Sequence, residues 1–423
     1  MTRPNGGAAD AANEVDHDGV RPGAPVQRCT AAPTMRSLRR GLSNGDGRGS
    51  ARYRMTLPGP VERDAVAFEE LLDRIGRRFA RAEPRLRARE FVWGLLAPLA
   101  RKNGWTLAEY AGESNPSGMQ RLLNSASWDV DGVRDDLRAW TVEHFGDAAR
   151  GVLVPGEMQF RKTGDHSVGV HRQYSRTAGR VENLQVGAFV AYAAPKGTVL
   201  VDRALYLPES WADDRARRRS AGVPDEVVFR TASQLVGDMM EGALDAGVPA
   251  SWVAAELDHG DDAALRARLD ARGIGYVVAV RTDTRSSRTG SPGTGAETPT
   301  NRYVRSARPA ERHGEWARGY VSEPVADAAG RQWETSMLVW RSATGQSRPQ
   351  RFVSRAPAGT PMTELVRVAN ARSAVRQCYV RAWQSFGLDQ YRVRRYPAWC
   401  RHITLSMIAD AYVALQPIRR RNR

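Results

Sequence analysis

The segment "GVLVPGEMQFRKTG", residues 151–164, lies where the sequence pattern changes from helical to extended. Residues 152–154 are consecutive aliphatic side chains, two of them β-branched, which predicts a short buried strand. Pro155 and Gly156 follow directly and predict a turn, since both residue types are common where strands end. The fold is therefore expected to begin its sheet here, with Gly156 at the end of the first strand.

Upstream of this segment the pattern over 66–147 is helical. Phe68, Leu71 and Ile75 recur at three- and four-residue intervals, so they share one helix face, with arginines on the opposite face. Short helices joined by polar connections are typical of a small DNA-binding bundle, although a plain helical domain gives the same pattern. The sequence predicts a helical, DNA-binding domain over 55–148.

Downstream, strands come first and then alternate with helices, which predicts an α/β fold with a mixed sheet flanked by helices over 149–415. The predicted strands are 151–154, 184–194, 198–206, 251–255, 275–280 and 333–342. The predicted helices are 232–246, 261–272, 361–386 and 403–415.

Three polar stretches fall outside this pattern. Residues 1–54 are rich in Gly, Ala, Pro, Asp and Arg and are expected to be disordered, with Met55 as an alternative start. Residues 282–300 are rich in Gly, Ser and Thr and predict a flexible loop, and residues 416–423 form a basic tail.

The chain has 423 residues, with 63 Lys and Arg against 47 Asp and Glu, which gives a net charge of +16. Only Lys102, Lys162 and Lys196 are lysines, so arginine supplies nearly all of the positive charge. A polyanion is the expected partner for such an excess. Three scattered cysteines exclude a disulfide framework, and no apolar run reaches membrane-spanning length. A cytoplasmic protein without a membrane partner is expected.

Four stretches resemble the insertion-sequence transposases of the DDE superfamily, whose catalytic domain has a ribonuclease-H-like fold. They are "LLAPLARKNGWTLAE" (95–109), "VGVHRQYSRTAGRVENLQVG" (168–187), "LYLPESW" (205–211) and "GLDQYRVRRYPAWCRHITL" (387–405). The resemblance runs from Phe68 to Leu415, apart from the 282–300 loop. It implies cut-and-paste recombination of DNA by three carboxylates that hold two Mg²⁺ ions.

The resemblance places the three carboxylates at positions that have changed here. Gly156 stands in the place of the first aspartate, and Glu256 stands in the place of the second. The third belongs to a helical signature of Tyr, Arg, Glu and Lys, which falls on Ala369, Arg372, Arg376 and Trp383. A glycine binds no cation, Arg376 repels one, and Glu256 is longer than an aspartate by one methylene. We therefore expect a degenerate, catalytically impaired member, a pseudoenzyme.

The remaining interpretation is a DNA-binding protein that contacts double-stranded DNA in the nucleoid, and a homodimer is compatible with it. Arginine suits phosphate oxygens because its planar group donates two hydrogen bonds at once. The expected DNA contacts are Arg161, Lys162, Arg172, Tyr174, Arg180, Arg372, Arg392, Arg394, Arg395, Arg401 and His402. Tyr174, Tyr391 and Tyr396 are also expected to stack on unpaired nucleotides.

Two alternatives stay open. An active, Mg²⁺-dependent nuclease would use rearranged carboxylates, with Glu157 or Asp258 as stand-ins and Glu256 and Asp258 as metal ligands. Glu364 or Asp389 would then supply the third corner. Strand alternation points Glu157 away from the face of Gly156, which favours Asp258. A decayed or repurposed protein-interaction scaffold, with no DNA role, is the second alternative.

Overall fold

The computed structural model describes residues 60–281, 302–305, 314–320, 323–342 and 348–416. The extension predicted over 1–54, the start at Met55, the 282–300 loop and nearly all of the 416–423 tail lie outside the described residues. Within the described ranges, no helix has both the length and the apolar character that a membrane span requires.

Five helices open the described chain and confirm the helical pattern predicted for 66–147. They are α1 (Pro60–Gly76), α2 (Ala82–Leu96), α3 (Gly104–Tyr110), α4 (Ser117–Asn124) and α5 (Val130–Phe145). Phe68, Leu71 and Ile75 of α1 are all buried, as their spacing predicts. Asn103 starts α3 with a capping box, in which its side chain accepts hydrogen bonds from the backbone of the first turn.

Eleven strands of the described residues form one sheet. They are β1 (Val152–Arg161), β2 (His171–Ser175), β3 (Arg180–Ala194), β4 (Gly197–Leu205), β5 (Trp252–Ala255), β6 (Gly275–Val280), β7 (Arg302–Arg305), β8 (Gly314–Tyr320), β9 (Val325–Ala326), β10 (Gln332–Ser342) and β11 (Gln350–Pro357). At the centre, β4, β3 and β1 are antiparallel neighbours, and β5 and β6 run parallel to β1. This order is ribonuclease-H-like, so the predicted fold class is confirmed. Beyond β6 the sheet continues through β11, β10, β8 and β7, all antiparallel.

The turn predicted at Pro155 and Gly156 is wrong. Strand β1 continues through both residues to Arg161 and stays paired with β3 over its whole length. A strand accepts proline where only one of its edges is paired, and β1 pairs with β5 only at Val152 and Leu153. Gly156 therefore lies inside a strand, which fixes the direction in which a side chain there would point.

Seven further helices cover the sheet and link its strands. They are α6 (Glu209–Ala212), α7 (Arg215–Ala221), α8 (Ala232–Asp245), α9 (Leu257–Gly260), α10 (Ala263–Ala271), α11 (Met362–Phe386) and α12 (Tyr396–Leu415) among the described residues. The helices predicted at 232–246, 261–272, 361–386 and 403–415 are confirmed, and the last of them begins earlier, at Tyr396.

Helix α12 joins the N-terminal helices to the sheet. Every residue from His402 to Ala411 is buried, and the helix packs against β4 as well as against α2, α4 and α5. The ring of Tyr412 contacts the rings of Phe68 and Trp93. The N-terminal helices and the sheet thus share one continuous apolar core, and the domain boundary at residue 148 stays a prediction.

A buried ion pair fixes α11 against α12. The carboxylate of Asp410 is fully buried and accepts a hydrogen bond from Nη2 of Arg381 at 2.7 Å and one from Sγ of Cys378 at 3.2 Å. Removing one partner of such a pair typically costs about 3–5 kcal/mol, because the other charge stays buried and unpaired. The pair therefore holds the rotation of α11 about its axis, on which the site below depends.

Candidate functional site

The position expected for the first carboxylate is filled by an aromatic side chain of α11. Gly156 pairs with Phe189 of β3, and a Cβ atom built on Gly156 would lie 2.6 Å from the phenol oxygen of Tyr379 and 2.7 Å from its Cε2. Carbon atoms in contact normally stay about 3.5–4.0 Å apart. No side chain therefore fits at Gly156 while Tyr379 keeps its place.

Tyr379 occupies this position by shape rather than by hydrogen bonding. Its phenol oxygen is buried and has no hydrogen-bond partner among the described residues. Burial raises the pKa of Tyr379 well above its usual value, and the nearby Cys378 and Glu157 raise the pKa further. The phenol is accordingly neutral at physiological pH and supplies no negative charge at the position expected for the first carboxylate.

Glu256, at the position expected for the second carboxylate, is held by two arginines. It follows β5 and immediately precedes α9. Its Oε2 accepts a hydrogen bond from Nη1 of Arg372 at 2.6 Å, and its Oε1 accepts one from Nη2 of Arg376 at 3.1 Å. Burial lowers the pKa of Arg372, and the charge of Glu256 opposes this shift. Both oxygens of the carboxylate thus face guanidinium groups.

One face of α11 makes all of these contacts. Four side chains recur there at intervals of four, three and four residues, and we call them the α11 stripe: Arg372, Arg376, Tyr379 and Trp383. The stripe meets Glu256 after β5 and then Gly156 in β1. Its last member, Trp383, stacks on Phe160 of β1, with 6.4 Å between the ring centroids. The helix thereby covers the end of the central strands with two positive charges and two aromatic rings.

The residues present do not fit a pair of divalent cations. Mg²⁺ needs several oxygen ligands, chiefly carboxylates. Gly156 offers none, and Arg376 brings a positive charge to the carboxylate of Glu256. In the part of the chain that the structure describes, no group of three or more His, Cys, Asp or Glu side chains is arranged to hold a metal. The site as built is an ion-paired contact between helix and sheet.

The stand-in carboxylates lie around His259 of α9. Oε1 of Glu157 is 3.6 Å from Nε2 of His259, and burial raises the pKa of Glu157, with Asp258 adding to the shift. Asp258 pairs with Arg176, which follows β2, at 2.5 Å. Burial lowers the pKa of His259, whose ring nitrogens have no hydrogen-bond partner among the described residues. Glu157 and Asp258 thus come together, whereas Glu256 is engaged by α11.

The two residues proposed for the third corner have other partners. Glu364, in the first turn of α11, pairs with Arg367 at 2.6 Å. Asp389 follows α11, and burial raises its pKa while the charge of Lys162 lowers it.

A comparison with protein families decides the relationship of the chain. A profile described as "DDE superfamily endonuclease" matches residues 70–348, which is more than half of the chain. The chain belongs to this family of DDE superfamily endonucleases. The matched range includes Gly156 and Glu256 and ends before α11 begins at Met362. No curated protein matches the chain. The family predicted from the sequence is confirmed.

Most of the DNA contacts predicted for this DDE superfamily protein lie on its surface. The exposed ones are Arg161, Arg172, Tyr174, Arg180, Arg392, Arg394 and Arg395. Arg161 and Arg180 lie on either side of Glu182, at 3.5 and 2.7 Å, so that one carboxylate partly balances both charges. Tyr174 is 58% exposed and presents a flat ring to solvent.

Other predicted contacts are further inside the protein. The ammonium group of Lys162 lies 3.4 Å from the centroid of the Tyr391 ring, and burial lowers the pKa of Lys162 to about 7. Arg401 is partly buried and donates to the carbonyl of Leu123 at 3.0 Å. His402 is 2% exposed, and burial lowers its pKa to about 3. A neutral imidazole offers no positive charge to a phosphate, so the predicted contact at His402 is wrong.

The stacking role predicted for Tyr391 is also wrong. Tyr391 is only 6% exposed, its hydroxyl donates to Gln185, and the same oxygen accepts from the indole of Trp399 at 3.1 Å. Tyr396 is partly buried at the start of α12. Of the three tyrosines expected to stack on nucleotides, Tyr174 alone has an exposed ring.

Sequence reasoning missed Tyr379, Arg176 and His259. For Tyr379 a signal existed, because this residue follows Arg376 by three positions and precedes Trp383 by four, which places all three on one helix face. Arg176 and His259 carry no local signal, since their partners come from separate elements that only the folded sheet brings together.

Proposed function

We propose that this protein binds double-stranded DNA and neither cuts nor joins it, as a degenerate relative of insertion-sequence transposases. The observation that carries the proposal is the contact of Glu256 with Arg372 and Arg376. The positive charge that balances Glu256 comes from the protein itself, at the position where the family resemblance expects a further carboxylate. A cation would have to compete with two guanidinium groups for this single acidic side chain.

The filled position at Gly156 supports the same conclusion independently. Two-metal chemistry activates the attacking oxygen and stabilises the leaving oxygen through both cations. A neutral phenol in van der Waals contact with the strand can do neither. Loss of the carboxylates therefore removes the catalytic step, whereas the surface that would hold DNA is a separate property of the chain.

The charge distribution supports DNA binding. The chain carries a net charge of +16, and Arg172, Arg392, Arg394 and Arg395 are all exposed. Guanidinium groups donate paired hydrogen bonds to phosphate oxygens and release condensed counterions on binding. The affinity is consequently expected to fall steeply as salt concentration rises.

The binding test is fluorescence anisotropy with a labelled duplex over a range of salt concentrations. We expect the logarithm of the association constant (1/Kd) to fall linearly with the logarithm of the salt concentration. The magnitude of this slope should decrease by about 0.9 for each phosphate contact removed. Arg172→Ala should reduce the slope, whereas Arg219→Ala, which removes an exposed arginine of α7 that is not a predicted DNA contact, serves as the matched control. Absent or salt-insensitive binding would contradict the proposal.

The cleavage test uses supercoiled plasmid with Mg²⁺ or Mn²⁺. Wild-type protein and Glu256→Gln are both expected to leave the plasmid intact. Nicking by the wild type that disappears in Glu256→Gln would show that the family's carboxylate chemistry survives and would overturn the proposal.

A second candidate, a nuclease with rearranged ligands, rests on the proximity of Glu157, Asp258 and His259. Burial raises the pKa of Glu157, and the charge of Asp258 raises this pKa further, as expected of two carboxylates that lie near each other. Glu256, a metal ligand in the alternative predicted from the sequence, is paired with Arg372 and Arg376. A nuclease that uses only Glu157 and Asp258 requires nicking, in the same plasmid assay, that persists in Glu256→Gln and is lost in the double variant Glu157→Gln/Asp258→Asn.

A further inference from the structure

A groove of about 670 Å³ lies between the N-terminal helices and the segment that links α11 to α12. Its lining is largely apolar and includes Phe91, Leu107, Met119, Leu123 and Val393. Trp105, at the start of α3, stands at this groove, which we call the Trp105 groove. A second groove of about 360 Å³ adjoins it and is lined mostly by polar side chains. The two grooves share Asn103, Gln390 and Arg392.

The charged side chains that line the two grooves are all basic. Arg392, Arg394 and Arg395 line the Trp105 groove, and Arg101 and Arg392 line the smaller one. All four arginines are exposed. No aspartate or glutamate lies among the described residues that line either groove. An anionic ligand is therefore the complementary occupant.

Trp105 is 65% exposed, more than any other Phe, Tyr or Trp among the described residues whose burial is known. An exposed indole offers a flat π-face on which a nucleobase stacks, whatever its identity. Inside a duplex the base faces are stacked on each other, so an unpaired base is the one that can turn its face to this surface. An apolar groove beside a polar groove lined by arginines also matches the two parts of a nucleotide, a base and its phosphate.

We propose that the Trp105 groove holds an unpaired nucleotide of bound DNA, with its base against Trp105 and its phosphate at Arg392 and Arg101. The inference deepens the proposed DNA binding and rests on it. The N-terminal residues 1–59 of this chain are a poor alternative occupant, because they carry more arginines than acidic residues. An acidic peptide would match the charge of the groove, but it has no base to stack on the indole.

The test compares three labelled probes by anisotropy: a blunt duplex, the same duplex with a 3′ single-stranded overhang, and one with a 5′ overhang. We expect at least one overhang to bind about fivefold or more tightly than the blunt duplex, as one stacked base allows. Trp105→Ala should abolish that difference, because the unpaired base loses the ring on which it stacks. Trp105→Phe should keep most of it, since an aromatic face remains. Arg219→Ala, which removes an exposed arginine outside both grooves, is the matched control for charge.

The possible results separate this inference from the proposed function. No overhang preference in the wild type, or a preference that Trp105→Ala retains, overturns the groove assignment while duplex binding stands. Failure to bind any probe overturns the proposed function itself. Displacement of the overhang probe by excess free mononucleotide supports the assignment. Tight binding of an acidic peptide that requires Trp105, without any overhang preference, overturns it in favour of a protein partner.

Discussion

Adding one methyl group at Gly156 tests whether Tyr379 really fills the position of the missing carboxylate. The Cβ of Gly156→Ala would lie 2.6 Å from the phenol oxygen, 2.7 Å from Cε2 and 3.0 Å from Cζ of Tyr379. All three atoms belong to a rigid ring held between α11 and the sheet, so the ring or the helix has to shift. Overpacking of this kind costs about 1–3 kcal/mol.

A double-mutant cycle isolates the free-energy cost of the contact between the new methyl group at Gly156 and the ring of Tyr379. Tyr379→Ala alone is expected to cost about 3–5 kcal/mol, because the removed ring leaves a cavity. In that background Gly156→Ala should cost little, since its methyl group enters the cavity instead of meeting the ring. The two changes are therefore expected to couple by about 1–3 kcal/mol.

Equilibrium urea denaturation measures the free energy of unfolding of all four proteins, with unchanged m-values as the check that the denatured state is comparable. Gly164→Ala is the matched control, because a Cβ at Gly164 meets no atom within 4 Å. Its effect should stay near zero. Additive effects of Gly156→Ala and Tyr379→Ala, or an equal cost for Gly156→Ala and Gly164→Ala, would refute the packing argument.

Three further results are expected. Combining Gly156→Asp, Arg376→Glu and Tyr379→Ala should restore cation binding, seen as a rise in Tm with Mn²⁺ that the wild type lacks; an equal response in both would contradict the assignment of these positions. Burial lowers the pKa of His402 to about 3 in the folded state, whereas in the unfolded state the imidazole binds a proton near its usual pKa of about 6.5. The free energy of unfolding should therefore fall by up to about 1.4 kcal/mol per pH unit below pH 6.5. Urea titrations should show that His402→Gln flattens this fall, and an unchanged pH profile would argue against the buried neutral ring. Gly242→Ala, inside α8 with no atom within 4 Å of the new Cβ, should stabilise by about 0.5–1 kcal/mol in thermal or urea unfolding, and destabilisation would mean that the helix surface is crowded there.

The fold was largely predictable where periodicity is strong. The buried strands over 184–194 and 275–280 and the helix over 361–386 have continuous apolar or helical patterns, and the structure confirms them. Strands β2, β8 and β11 were not predicted, because their sequences mix arginine with aromatic residues and lack a continuous apolar or alternating pattern. Pro155 misled the prediction, since local propensity cannot reveal that one edge of β1 is unpaired.

The candidate site shows a different limit of prediction from the sequence. The family resemblance predicted from the sequence that Gly156, Glu256 and Arg376 occupy the positions of the three carboxylates. Their consequence was not, because the sequence suggests an empty space at Gly156, whereas the structure fills it with Tyr379. Likewise, the charge of Arg376 predicted repulsion of a cation, but only the fold reveals that its guanidinium hydrogen-bonds to Glu256. His402 was predicted to contact phosphate because the sequence around it is basic, but the structure buries its side chain.

The central position of α12 has a consequence for how the chain is made. The helices that leave the ribosome first place Phe68 and Trp93 against Tyr412, which is translated hundreds of residues later. Until α12 emerges, the nascent N-terminal helices lack the surface that completes their core, and folding is expected to finish only once synthesis has passed this helix. A premature stop before Tyr396 would accordingly yield a product that proteases remove, rather than a shorter protein that persists in the cell.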